Sequence, residues 1–127
     1  MTDTNTYEAF TAFQEGMHLL TSSSPHAAVI VLERARDLEP DQGSIREALA
    51  RAYYSSGRFL AARAEFERAV EIDPVNDYAH FGLGLCLLRA GDRVGARAHL
   101  RLAVAMRPHP EYRDALARVS DDARPQT

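Results

Sequence analysis

Three prolines, Pro40, Pro74 and Pro108, stand 34 residues apart, and four further columns keep the same step. Ala28, Ala62 and Ala96 recur in register, as do Ala35, Ala69 and Ala103. Gly16, Ala50 and Gly84 form another column, and Leu32, Phe66 and Leu100 a fourth. A fixed period between about 20 and 50 residues is the mark of stacked repeats, each one a supersecondary unit that cannot bury its own apolar face. The small-residue columns belong where neighbouring helices cross closely, and the large ones fill the gaps between them. Few architectures satisfy five columns in register. The reading is an all-α superhelical solenoid.

Each 34-residue unit divides into two helical halves. Asn76 is the expected N-cap of one helix, and Gly57 and Gly91 are the left-handed stops between paired helices. Ser44-Ile45-Arg46-Glu47 has the form of a capping box, with serine capping and glutamate reaching back. Ser24-Pro25 is expected to open a helix, with serine as its cap and proline in its first turn. The turn from Thr21 to Ser24 has no glycine and is expected to be looser. After Pro108, Tyr112, Ala115, Leu116 and Val119 fall on one helical face, as suits a helix that seals the open end of a stack. The expected organisation is a single domain over 1–127. Its repeats run 9–42, 43–76 and 77–110, a capping helix covers 111–122, and both termini fray, Met1 to Thr6 and the residues beyond Asp122.

These columns resemble the tetratricopeptide repeat (TPR) pattern, in which Leu-Gly and Tyr are followed by Ala, Phe and Pro. The third unit carries Leu83-Gly84, Leu87, Ala96, Leu100 and Pro108, and the second Leu49-Ala50, Tyr53, Ala62, Phe66 and Pro74. The first departs most: Glu15 stands where leucine is expected, which suits an exposed end of the stack. The leading aromatic column holds Ala12, Arg46 and His80, and the chain has no tryptophan. The chain is also similar to small single-domain TPR proteins of high-GC bacteria. The resemblance implies that partners bind in a concave groove lined by the first helix of each hairpin. The matching positions are Phe10, Phe13 and Met17, then Glu47, Arg51 and Tyr54, then Tyr78, Phe81 and Leu85, with Leu20 and Leu88 divided between groove and core. Each set steps by three or four residues and shares a helix face. TPR proteins that grip a chaperone's C-terminal carboxylate use cationic and amide side chains, where this chain has Phe13, Met17, Ala48, Tyr78 and Gly82. The expected partner is therefore an apolar peptide or helix of a cytoplasmic protein. A second copy of the chain, burying the same groove or the open stack end, is the alternative.

Other classes find little support. Net charge is −3, and all 15 basic residues are arginine. No overall positive field draws nucleic acid or an anionic membrane. Arg93, Arg97 and Arg101 read as a solvated outer face. No segment is long and apolar enough to span a bilayer, and the start of the chain lacks a signal-peptide pattern. His18, His26, His80, His99 and His109 show no metal-ligand spacing. The lone Cys86 lies in an apolar run and reads as core. No catalytic motif and no cofactor site is evident, so an enzyme is not expected. The register makes a first testable demand. Ala62→Leu should overpack the second hairpin and cost about 1–3 kcal/mol in a thermal or denaturant melt, and an unchanged melt would mean the register is wrong.

Overall fold

The computed structural model describes residues 2–122 and contains seven helices in that span. They are α1 (Thr2–Thr21), α2 (Pro25–Leu38), α3 (Gly43–Ser55), α4 (Phe59–Ile72), α5 (Asp77–Arg89), α6 (Arg93–Met106) and α7 (Pro110–Asp122). Consecutive helices pack antiparallel as three hairpins, and α7 closes the stack against α6. The periodic columns are where the core lies. Ala28, Ala62, Ala96, Ala35, Ala69 and Ala103 are all fully enclosed, and Leu32, Phe66 and Leu100 fill the spaces they leave. Glu15 is exposed on the first hairpin, as its place at the end of the stack implies.

The layering gives the molecule its curvature. The odd-numbered helices touch in sequence, α1 on α3, α3 on α5 and α5 on α7. Among the described residues α2, α4 and α6 make no such contacts with one another. Helices that close up on one side and splay on the other bend the stack. The first helix of each hairpin therefore forms the inner, concave layer.

Local signals held in most places. Asn76 caps α5 by accepting from Ala79 N at 3.0 Å, and Asp92 caps α6 by accepting from Gly95 N at 2.8 Å. Ser44 does not cap α3. That helix starts at Gly43, two residues earlier than a Ser44 cap would set it, with Gln42, in the column of Asn76, at its N-cap, so Ser44 already lies inside it. Ser24 does precede α2, with Pro25 in the first turn, but its hydroxyl makes no capping bond. Residues 2–6, expected to fray, instead form the opening turns of α1, where Thr6 Oγ1 donates to Glu39 at 2.7 Å. Met1 and the residues after Asp122 lie outside the described residues. Cys86 is buried in the third hairpin, as its apolar neighbours implied.

The turn without glycine is not looser. Ser23 stands in the column of Gly57 and Gly91 and adopts their backbone, with φ of 60° against 81° and 87°. The same hydrogen bonds close all three turns: Ser24 N to Leu19 O at 2.8 Å, Arg58 N to Tyr53 O at 2.8 Å, and Asp92 N to Leu87 O at 2.9 Å. A side chain in this left-handed region is strained by about 1–2 kcal/mol, part of which glycine would forfeit through its freer unfolded chain. Ser23→Gly should thus stabilise the protein by about 0.5–1 kcal/mol, read as a higher Tm. A lower Tm would contradict the strain.

Candidate functional site

The inner surface holds a cavity of about 150 Å³ between α3 and α5, with the end of α1 as a third wall. Arg51, Tyr54, Tyr78 and Leu85 line it, four of the side chains the sequence placed on the groove, and Leu20 joins them. Three further lining residues escaped the sequence reading: Ser55, Phe66 and Gly82. Phe66 comes from the outer helix α4 and forms the floor. It reaches the inner surface because Gly82 has no side chain, since a β-carbon there would collide with the far edge of the Phe66 ring. Only the absence of an atom at one position opens the floor.

Cations over aromatic rings organise the walls. The Arg51 guanidinium carbon lies 5.3 Å from the centre of the Tyr78 ring. Arg89, at the end of α5, lies 4.1 Å from the Phe59 ring centre and donates from Nε to Tyr54 Oη at 2.8 Å. Tyr54 is thereby clamped between its own hairpin and the next. Burial pushes the Tyr78 hydroxyl up in pKa against the opposing pull of Arg51. Burial likewise raises Glu47 above the ordinary carboxylate range, with Arg51 again pulling down and Asp77 pushing up.

The remaining groove positions divide. Phe10 is largely exposed on α1, while Phe13 and Met17 are half-buried against the core. Phe10 and Phe13 border a second hollow of about 230 Å³, closed on its far side by Ile45 and Ser44 of α3. Thr6, in the part of α1 that precedes the first repeat, also lines that hollow. Phe81 does not face the groove. It is only 4% exposed, because Tyr112 of α7 stacks on it with ring centres 4.7 Å apart. Tyr112 is itself fixed by donating to Asp77 Oδ2 at 2.7 Å. Leu88 is half-buried between hairpins rather than displayed.

Elsewhere, Arg101 is exposed on α6, whereas Arg93 and Arg97 are half-buried, so the arginine stripe is not evenly solvated. Among the described residues no cluster of His, Cys, Asp or Glu could hold a metal ion, and no helix is long and apolar enough to cross a membrane.

A sequence profile described as tetratricopeptide repeat matches residues 13–77 and again 47–113. The chain belongs to the TPR family. No curated protein is similar enough in sequence to serve as a relative. Among solved structures, it is similar to the Arabidopsis OM64 TPR domain, with TM-score 0.89 and 19% identity over 93% of this chain and 98% of that one. The first TPR domain of Spaghetti (RPAP3), bound to an HSP90 peptide, superimposes with TM-score 0.87 and 16% identity over 92% and 94% of the two chains. The Yersinia enterocolitica type III secretion chaperone SycD, in complex with a peptide of the translocator YopD, gives TM-score 0.74 and 20% identity over 87% and 86%. At these identities the likeness establishes the TPR fold.

The floor of the cavity is directly testable. Gly82→Ala should force Phe66 out of its seat and cost about 1–3 kcal/mol in a denaturant melt. A variant as stable as the parent would show that Phe66 can withdraw freely.

Proposed function

We propose that the protein is an interaction module that seats an apolar segment of a protein partner along its concave face. One side chain of that segment enters the cavity walled by Tyr54, Tyr78 and Leu85. The observation that carries this reading is that cavity, a recess with an aromatic floor and half-buried walls, on the layer where the helices close up. Interfaces draw most of their energy from a few desolvated anchors, with aromatics and arginine prominent among them. Tyr78 under Arg51 and Tyr54 under Arg89 are such anchors, already ordered before a partner arrives. Pre-ordering reduces the entropy lost on binding. Two of the similar structures hold peptides, which supports a peptide or helix as the occupant here.

Glu47 and Arg51 supply polarity in the middle of an otherwise apolar strip and would fix the register of the bound segment. The hollow beside Phe10 and Phe13 offers a second seat toward the N-terminal end, so the segment would run along α1, α3 and α5.

Affinity capture from the source cell, followed by titration calorimetry with the recovered partner, tests this. Tyr78→Ala and Leu85→Ala should each weaken the complex by about 1–4 kcal/mol, roughly tenfold or more in Kd. Arg101→Ala, on the exposed side of α6, should bind as the parent does. Intact binding in the first two variants with loss in Arg101→Ala would move the site to the outer face. Melts of each variant establish beforehand that it is folded.

A further inference from the structure

Two columns of the repeat meet inside each hairpin, and they carry different chemistry in each. In the first hairpin they hold Ala12 and Val31, in the second Arg46 and Glu65, in the third His80 and His99. Arg46 bonds Glu65 at 2.9 Å through Nη1 and Pro40 O at 2.9 Å through Nε. His80 repeats both contacts one unit later, meeting His99 Nδ1 at 3.0 Å through its own Nδ1 and Pro74 O at 2.8 Å through Nε2. The two imidazole rings stack, with centres 5.3 Å apart and planes 22° from parallel. An ion pair has been replaced, position for position, by a pair of imidazoles.

The protons on this pair can be counted. A carbonyl oxygen only accepts, so His80 Nε2 carries a hydrogen and donates to Pro74 O. A single further proton lies between the two Nδ1 atoms. In the neutral pair it sits on His99, donated to His80, which leaves His99 Nε2 as the free basic nitrogen. One added proton makes His99 a cation and keeps the bond, but places charge beside a ring that is 4% exposed. A second added proton leaves two N–H groups and two positive charges facing each other at the Nδ1 contact. The bond is then lost.

We propose that the His80–His99 pair is a pH-sensitive joint, which holds α5 to α6 at full strength when neutral and weakens as it gains protons, while His80 Nε2 keeps its bond to Pro74 O throughout. Imidazole is the side chain whose ordinary titration falls between about pH 5 and 8, so the change lies in an accessible range. The surroundings bear on His99 from each side. Burial lowers its pKa from the usual 6.5, and His80 on α5 lowers it further. Glu67 on α4 and Asp92 at the start of α6 pull the other way without reversing the direction. The unfolded chain therefore binds the proton more readily than the folded one. The joint's contribution is complete above about pH 6.5 and is lost as the pH falls from there through the lower folded value.

The experiment compares the parent with the double variant His80→Arg, His99→Glu, which copies the pair of the second hairpin into the third. Tm is measured for both at about pH 7.5 and about pH 5.5, on either side of the ordinary imidazole titration. The exposed histidines are common to the two proteins and cancel in the comparison. The parent should lose about 4 °C or more beyond the loss of the double variant, and equal losses would overturn the proposal. A second arm needs no variant. In an NMR titration of the parent, the His99 ring should titrate below the usual imidazole value of 6.5, and a midpoint at or above that value would also overturn it. Should the double variant fail to fold, this titration decides alone.

Discussion

Everything in this structure depends on how closely one helix can approach the next. Six alanines in two columns set that distance, each fully enclosed, and one large side chain per hairpin fills the space between them. A methyl group is the largest side chain that such crossings admit without spreading the helices. Because the spacing is the same at each step, each hairpin meets the following one in the same way. Curvature and an inner surface then follow from packing alone. The arrangement is also local, since helices touch mainly their immediate neighbours. Stability in such a stack accumulates hairpin by hairpin rather than from one central core.

Against that constant frame the polar positions vary. The second hairpin buries a carboxylate, Glu65, and meets it with two guanidinium groups, Arg46 from α3 at 2.9 Å and Arg36 from α2 at 3.0 Å. Arg36 belongs to the first hairpin, so this cluster ties two repeats together. A buried ion pair of this kind recovers its desolvation cost only through good geometry and several hydrogen bonds. Its geometry is of that kind. The third hairpin fills the same columns with imidazoles, and the first with apolar side chains. Identical backbone positions thus tolerate three chemistries, provided that each satisfies its own hydrogen bonds.

Much of the fold was legible because small-residue columns and proline spacing report helix crossings directly. The left-handed stops at Gly57 and Gly91 and the cap at Asn76 follow local rules that tertiary contacts did not override. Where a local motif and the repeat disagreed, the repeat prevailed. Ser44 to Glu47 has the spacing of a capping box, but the packed register puts the helix start beside Gln42. Ser23 shows the same ordering of influences, since a strained backbone is accepted to keep the turn. The candidate site was legible in part. Tyr54, Tyr78, Arg51 and Leu85 gather at one cavity because they share faces of adjacent inner helices. Phe81 lies on a similar face but is covered, since Tyr112, one repeat length after Tyr78, makes α7 act as half of a fourth repeat. The reach of Phe66 past Gly82 could not be read from periodicity, which says which residues share a face and not how far a ring extends.

Cys86 gives the third hairpin an unplanned use. Burial raises its thiol to a pKa of about 11, and Arg63 and Arg89 offset this only in part. The thiolate is the species that reacts with alkylating reagents. With so little of it present at neutral pH, and with the sulfur enclosed, modification must wait until α5 parts from its neighbours. The chain holds one cysteine, so each modified molecule records one such excursion at a known place. The protein therefore carries its own clock for the opening of a single repeat, set by a side chain whose only structural task is to fill space.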